Sequence, residues 1–310
     1  MSDTQTDFSK QNTLLKKSID QPLLIMLSLY IVAWIIKIFD TFIFRLDELI
    51  GEAILTKALG LLLIVLFLWL TKRNMSDIGF HSRKIGITLL IAIGGFGLIY
   101  VIAYTSQLVI LRLSGEKAAM VFSAIDPKTG LSGGLLFGLW LVFSNLFNSG
   151  MEEGLFRGAM LRHFLVRYSK WGAIFLQAIL FSLWHLSWPL RHLLDGQAVG
   201  DVAFEAFGLL LSTIISGVVY GYFYYRTNNL WGAFVAHFIN NSIFNILFIE
   251  TGAGLQSGLE FMPFVLLFLI LHLLMIPIIG IVTKRLQMPE VKPWGDFTDN
   301  EDPKMVDYAA

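Results

Sequence analysis

The chain contains no cysteine, which excludes disulfides, thiolate catalysis and cysteine-based zinc sites together. Charge is scarce: only 15% of the 310 residues are Asp, Glu, Lys or Arg, and the 23 basic residues are matched by 23 acidic ones. With no net field, nucleic acid is excluded as a partner. No small-residue cleavage site follows the first apolar run, so that run reads as an uncleaved span rather than a signal peptide. Nor is there an internal repeat of the inverted kind found in many transporters. What the sequence does have is apolar bulk, with 55% hydrophobic residues, a mean hydropathy of +0.67, 26 Phe and 8 Trp. So few charges cannot clothe a water-soluble surface, and the aromatics suit a lipid-facing one.

A bilayer core of about 30 Å needs roughly 20 apolar helical residues. Eight stretches qualify, near 23–44, 52–71, 85–111, 131–166, 171–190, 203–226, 230–250 and 261–283. The expected fold is therefore an all-α polytopic membrane protein, a bundle of about eight transmembrane helices around a membrane-buried polar site. Its parts would be a polar cytoplasmic N-terminus (1–22), N-terminal transmembrane helices (23–125), a catalytic core (126–250), a last helix (251–285) and a flexible C-terminal tail (286–310). With the N-terminus inside, sixteen Lys and Arg fall in inner segments and six in outer ones. By the positive-inside rule both termini are then cytoplasmic.

Three spans carry polar groups where the bilayer penalises charge by about 2.5–3.5 kcal/mol each, which marks them as candidate functional groups. In the fourth, Glu152 and Glu153 are adjacent and point about 100° apart on an α-helix, so they need different partners. Glu153 has Arg157 one turn on, the spacing of a helical ion pair. That leaves Glu152 as a candidate general base. The fifth span offers Phe181 and His185, and the seventh His237 with Asn241 one turn later on the same face. His81, His163 and His192 read as solvated, and His272 as a packing residue. Lys37 is expected to snorkel or to pair with Asp40, and Gly94, Gly95 and Gly97 to allow close helix packing.

The order Glu-Glu-x-x-x-Arg (152, 153, 157), Phe-x-x-x-His (181, 185) and His-x-x-x-Asn (237, 241) resembles the CPBP family of intramembrane proteases, also called the Abi or CAAX-protease family. The resemblance covers roughly residues 130–250, and the stretch 74–80 resembles a short loop that precedes the core in bacterial members. It implies an intramembrane endopeptidase in which Glu152 and His185 activate a water, His237 and Asn241 stabilise the oxyanion, and Glu153, Arg157 and Phe181 shape the site. It leaves two mechanisms open. Glu152, His185 and His237 would make a zinc site with an open position, but no His-Glu-x-x-His occurs, and a glutamate mechanism without cofactor is favoured.

The implied partners are the lipid bilayer and a peptide or protein substrate, a lipidated C-terminus of the CAAX type or a leader or bacteriocin peptide. The implied location is a bacterial plasma membrane. Two other classes fit the same residues: an immunity or binding protein that keeps the fold without catalysis, and a transporter that uses these groups as a proton relay.

Overall fold

A computed structural model describes residues 13–256 and 261–296. It is built almost entirely of helices. Helix α1 (Thr13–Asp20) leads into α2 (Pro22–Ile38), which runs on as a π-helical turn, Phe39–Phe44; α3 (Leu46–Ile50) and α4 (Ile54–Leu70) follow. Helices α5 (Ile85–Leu90) and α6 (Gly97–Leu113) form one rod through a π-helical stretch. Helix α7 (Leu135–Glu152) continues as a π-helical segment, Glu153–Leu161, into the short α8 (Arg162–Phe164). After α9 (Lys170–Trp184) and α10 (Ser187–Leu194) come α11 (Val199–Thr227), α12 (Leu230–Ile246) and α13 (Met262–Arg285).

Helical segments occupy all eight expected stretches, but only five of them are long and apolar enough to cross a bilayer among the described residues: Pro22–Phe44, Ile85–Leu113, Lys170–Leu194, Val199–Thr227 and Met262–Arg285. The other three differ for physical reasons. Helices α4 and α12 have 17 residues each, about 26 Å of rise and short of the hydrocarbon thickness. The rod over 135–164 carries Glu152, Glu153, Arg157 and Arg162 buried inside the protein. Large apolar side chains such as Leu24, Ile31, Leu62, Trp69, Val101 and Ile270 face outward, the surface that lipid requires.

Strands were not expected, yet a small antiparallel sheet of β1 (Ala119–Phe122), β4 (Leu247–Thr251) and β5 (Gly254–Leu255) pairs in the order β1-β4-β5, with Ala119 opposite Glu250 and Phe122 opposite Leu247. A second ladder joins β2 (Ala124–Ile125) to β3 (Ser132–Gly133). Together they tie the start of α7 to the end of α12. Lys57 makes a further tie: it pairs with Glu52 and donates to Ser144 Oγ at 2.8 Å, linking α4 to α7.

The π-helical segment is the centre of the molecule. All of its residues, 153–161, are buried, with the cluster of α2, α4 and α9 side chains (Met26, Ile64, Phe181, Trp184) on one side. On the other lies the cluster of α6, α11 and α13 (Tyr100, Tyr220, Phe223, Phe268). A Cβ at Gly158 would stand 3.1 Å from Ile78 and 3.2 Å from Leu230, so the absent side chain lets the 74–80 loop press against this helix. That loop is a single 3₁₀ turn, Met75–Ile78, closed by a reciprocal capping box between Asn74 and Asp77. It ends at Gly79 with φ of 104°, a left-handed position that glycine fills without strain.

Several expectations change. Residues 286–296 are packed rather than flexible: Met288, Val291 and Trp294 are buried, and Val291 and Trp294 donate backbone N–H groups to Tyr225 O (2.8 Å) and Arg162 O (2.9 Å). Trp294 Nε1 also donates to Ser18 Oγ at 3.0 Å, so 13–20 and 286–296 share one end of the bundle. The remainder of the tail (297–310) and residues 1–12 lie outside the described residues. His163 is fully buried rather than solvated, because Trp294 stacks on it at 4.3 Å and Ala159 O takes its Nδ1 at 2.7 Å. His192 is also partnered, lying 2.8 Å from Glu205 Oε2. Of the three α5–α6 glycines only Gly95 meets a close neighbour, Met275; an added Cβ at Gly94 or Gly97 would enter open space.

Truncating Trp294 to Ala empties a site bounded by Phe67, His163 and Ser18. The expected cost is about 3–5 kcal/mol, read as a lowered thermal midpoint in detergent. An unchanged midpoint would show that this contact contributes nothing.

Candidate active site

Glu152, Glu153 and Arg157 come from the junction of α7 with its π-helical continuation. Such wide turns re-aim side chains and recur at functional sites. Before this junction, α7 presents a buried polar stripe, Asn145, Ser149 and Glu152, at helical spacing. It faces α12, whose His237, Asn241 and Asn245 form a matching stripe four residues apart. The two are joined where Asn145 Nδ2 donates to Asn245 Oδ1 at 2.9 Å, and Asn245 Nδ2 donates onward to Ile125 O at 3.0 Å.

The two carboxylates meet opposite nitrogens of one imidazole. His237 Nδ1 donates to Glu153 Oε1 at 2.7 Å, while His237 Nε2 lies 3.5 Å from Glu152 Oε2. Glu153 also forms the expected helical ion pair, with its Oε1 2.9 Å from Arg157 Nη1. All four side chains are buried. With its Nδ1 proton held by Glu153, the ring acts as a donor through Nε2 only when that nitrogen is protonated as well.

Phe181 is the platform under this cluster. Its ring lies edge-on to His185 (4.7 Å) and His237 (5.9 Å), and the Arg157 guanidinium covers it at 4.0 Å. Tyr220 stacks on the other side of His237 at 5.9 Å.

His185 does not lie within a continuous fifth helix. Helix α9 ends at Trp184, and α10 starts at Ser187. Pro189 has no N–H to continue the ladder to His185 O, and Trp188 N instead donates to that oxygen at 3.3 Å. The His185 ring turns back so that Nδ1 meets Phe181 O at 2.8 Å, which points Nε2 the other way. No direct hydrogen bond joins His185 to Glu152 among the described residues. Asn241 lies one turn along α12 from His237, its Oδ1 accepting from Asn240 Nδ2 at 3.2 Å, which leaves its own NH₂ to donate elsewhere.

Two neighbours of Glu152 escaped the sequence reading. Trp184 Nε1 donates to Glu152 Oε1 at 3.0 Å, and Lys37 sits over the same indole at 4.1 Å. The one available signal was Lys37 itself, the only charged residue in the otherwise apolar α2. The second carboxylate oxygen, Glu152 Oε2, is buried with no hydrogen-bond partner, an unmet acceptor that a water or substrate N–H would satisfy.

The zinc alternative can be tested on the same geometry. Among the described residues no three His, Cys, Asp or Glu side chains sit where they could hold a metal ion. His237 has a carboxylate at each nitrogen, and His185 Nδ1 is taken by a backbone carbonyl. Both rings hold Nδ1 on an oxygen and present Nε2, the pattern of an anchored imidazole.

Residues 134–243 match the family described as Type II CAAX prenyl endopeptidase Rce1-like. All seven sequence-predicted site residues fall inside that stretch. No curated protein and no solved structure gives a significant match.

Proposed function

We propose, for a chain whose 134–243 segment belongs to the CAAX-protease (CPBP) family, that it hydrolyses a peptide bond by a glutamate-activated water held inside the bundle. The observation that carries this reading is the pairing of a buried, half-satisfied carboxylate with an imidazole fixed by a second carboxylate. Glu152 Oε2 takes a proton from water as the water oxygen attacks the substrate carbonyl. The C–N bond then breaks as the same proton passes to the leaving amine, so one water is consumed and the residues return to their starting state.

Charge develops on the carbonyl oxygen, and donors aimed at that oxygen do most for the rate. His237, anchored by Glu153, and the NH₂ of Asn241 are suited to it. His185 Nε2 assists Glu152 in orienting the water. Arg157 neutralises Glu153 and, by clasping Phe181, sets the rotation of the helix that bears both carboxylates. The substrate is a peptide or protein segment of the CAAX type or a leader peptide, selected by the chamber and the gaps between helices, with both protein termini on the cytoplasmic side of a bacterial plasma membrane.

The test is purified protein in detergent incubated with a library of fluorogenic peptides, prenylated and not, with Glu152→Ala as control and with chelator added. Cleavage by wild type, its absence in the variant and indifference to chelator are the expected results. Cleavage retained in the Glu152→Ala variant rejects the role of Glu152. Activity lost to chelator and restored by zinc rejects the glutamate mechanism. No cleavage with an intact binding phenotype favours the immunity class, and Glu152-dependent flux in liposomes the transporter.

A further inference from the structure

Lys37, in the last turn of α2, is 4% exposed and turns its ammonium into the bundle rather than outward. It does not pair with Asp40, whose Oδ2 instead accepts the Thr56 backbone N–H at 2.6 Å. Its ammonium donates to Trp184 O at 2.7 Å. That carbonyl is free for Lys37 because the helix breaks there, with Trp188 N redirected to His185 O. The ammonium also lies over the Trp184 ring, and no salt bridge to it exists among the described residues. A cation with three donors and one acceptor is costly to bury.

Cation, indole and carboxylate thus stand in series: Lys37 holds Trp184 by carbonyl and ring, and Trp184 Nε1 holds Glu152 Oε1. We propose that Lys37 is a positioning residue for hydrolysis, fixing the indole N–H so that Glu152 Oε1 is occupied and Oε2 alone faces the attacking water. The inference rests on the reading of Glu152 as the base. It brings α2, which lies outside the matched segment, into the working site. The helix break at Pro189 leaves the carbonyl that Lys37 uses without a backbone donor.

The experiment measures kcat and KM on a cleaved peptide for wild type, Lys37→Met, Lys37→Gln, Trp184→Phe and the Lys37→Met/Trp184→Phe and Lys37→Gln/Trp184→Phe pairs. Misplacing a catalytic group by about an ångström costs up to ~10²-fold. Lys37→Met is therefore expected to lower kcat about tenfold with KM unchanged. Lys37→Gln, shorter by one bond and uncharged, is expected to lower it about threefold, and decides the matter if the Met variant does not fold. Because Lys37 acts through the indole, each double variant should be no slower than Trp184→Phe alone.

A kcat for Lys37→Gln equal to wild type, losses that multiply in the double variant, or a change confined to KM would overturn the proposal. Cleavage by the Glu152→Ala control would instead reject the underlying assignment of the base, whatever Lys37 does.

Discussion

Glu152→Gln is expected to leave the protein folded and to lower peptide turnover on the order of 10³-fold, within the range that general acid–base catalysis supplies. The substitution is close to isosteric. An amide oxygen can still accept the Trp184 indole N–H that now meets Oε1 at 3.0 Å. What changes is the other end of the side chain, where an NH₂ replaces the buried Oε2 that faces His237 Nε2. An amide cannot take a proton from water at neutral pH. Single-turnover kinetics on a peptide reporter give the magnitude, and size-exclusion behaviour with helical content by circular dichroism checks the fold. A loss smaller than tenfold would mean that another group removes the proton, and His237 would be the first to test.

The second large effect is on stability. Arg157→Met should cost about 3–5 kcal/mol, because removing one partner of a buried ion pair leaves the other charge uncompensated. Glu153 and Arg157 are both fully buried. Arg157 also covers Phe181, a contact worth up to about 2 kcal/mol when desolvated. The measurement is thermal unfolding in detergent. Adding Glu153→Gln to the same chain removes the orphaned charge, so the double variant should regain most of the lost midpoint. It should still turn over slowly, since His237 then lacks the carboxylate that orients it. Equal stability of wild type and the single variant would show that Arg157 is not needed to balance Glu153.

What could be read without coordinates was mostly local. The Glu153–Arg157 pair follows from four-residue spacing, and the apolar stretches are long enough to declare themselves. The family pattern marked Phe181, His185, His237 and Asn241, and the site gathers Glu152, Glu153, Arg157, Phe181 and His237. The reading that the two glutamates need different partners held for Arg157 but missed that both reach His237. It assumed α-helical rotation across 152–153, where the helix widens. The lone charge in α2 marked Lys37, but its contact with Trp184 was unread because it spans 147 residues of chain. The strands β1 and β4 are four and five residues long, too short to show alternation, and they pair across more than a hundred residues. The tail misled because Pro, Asp and Glu are interspersed among its apolar side chains, yet three of those, Met288, Val291 and Trp294, each find a seat.

The seat of Trp294 has a bearing on biosynthesis. Ser18 and His163 emerge from the ribosome in that order, whereas the indole that covers both is made only after α13. These two buried surfaces therefore wait uncovered while the helices up to α13 are inserted, and the bundle is fastened at that end by the segment that follows α13. A chain stalled before Trp294 would carry Glu152, His185 and His237 and still expose a site that quality-control proteases can recognise.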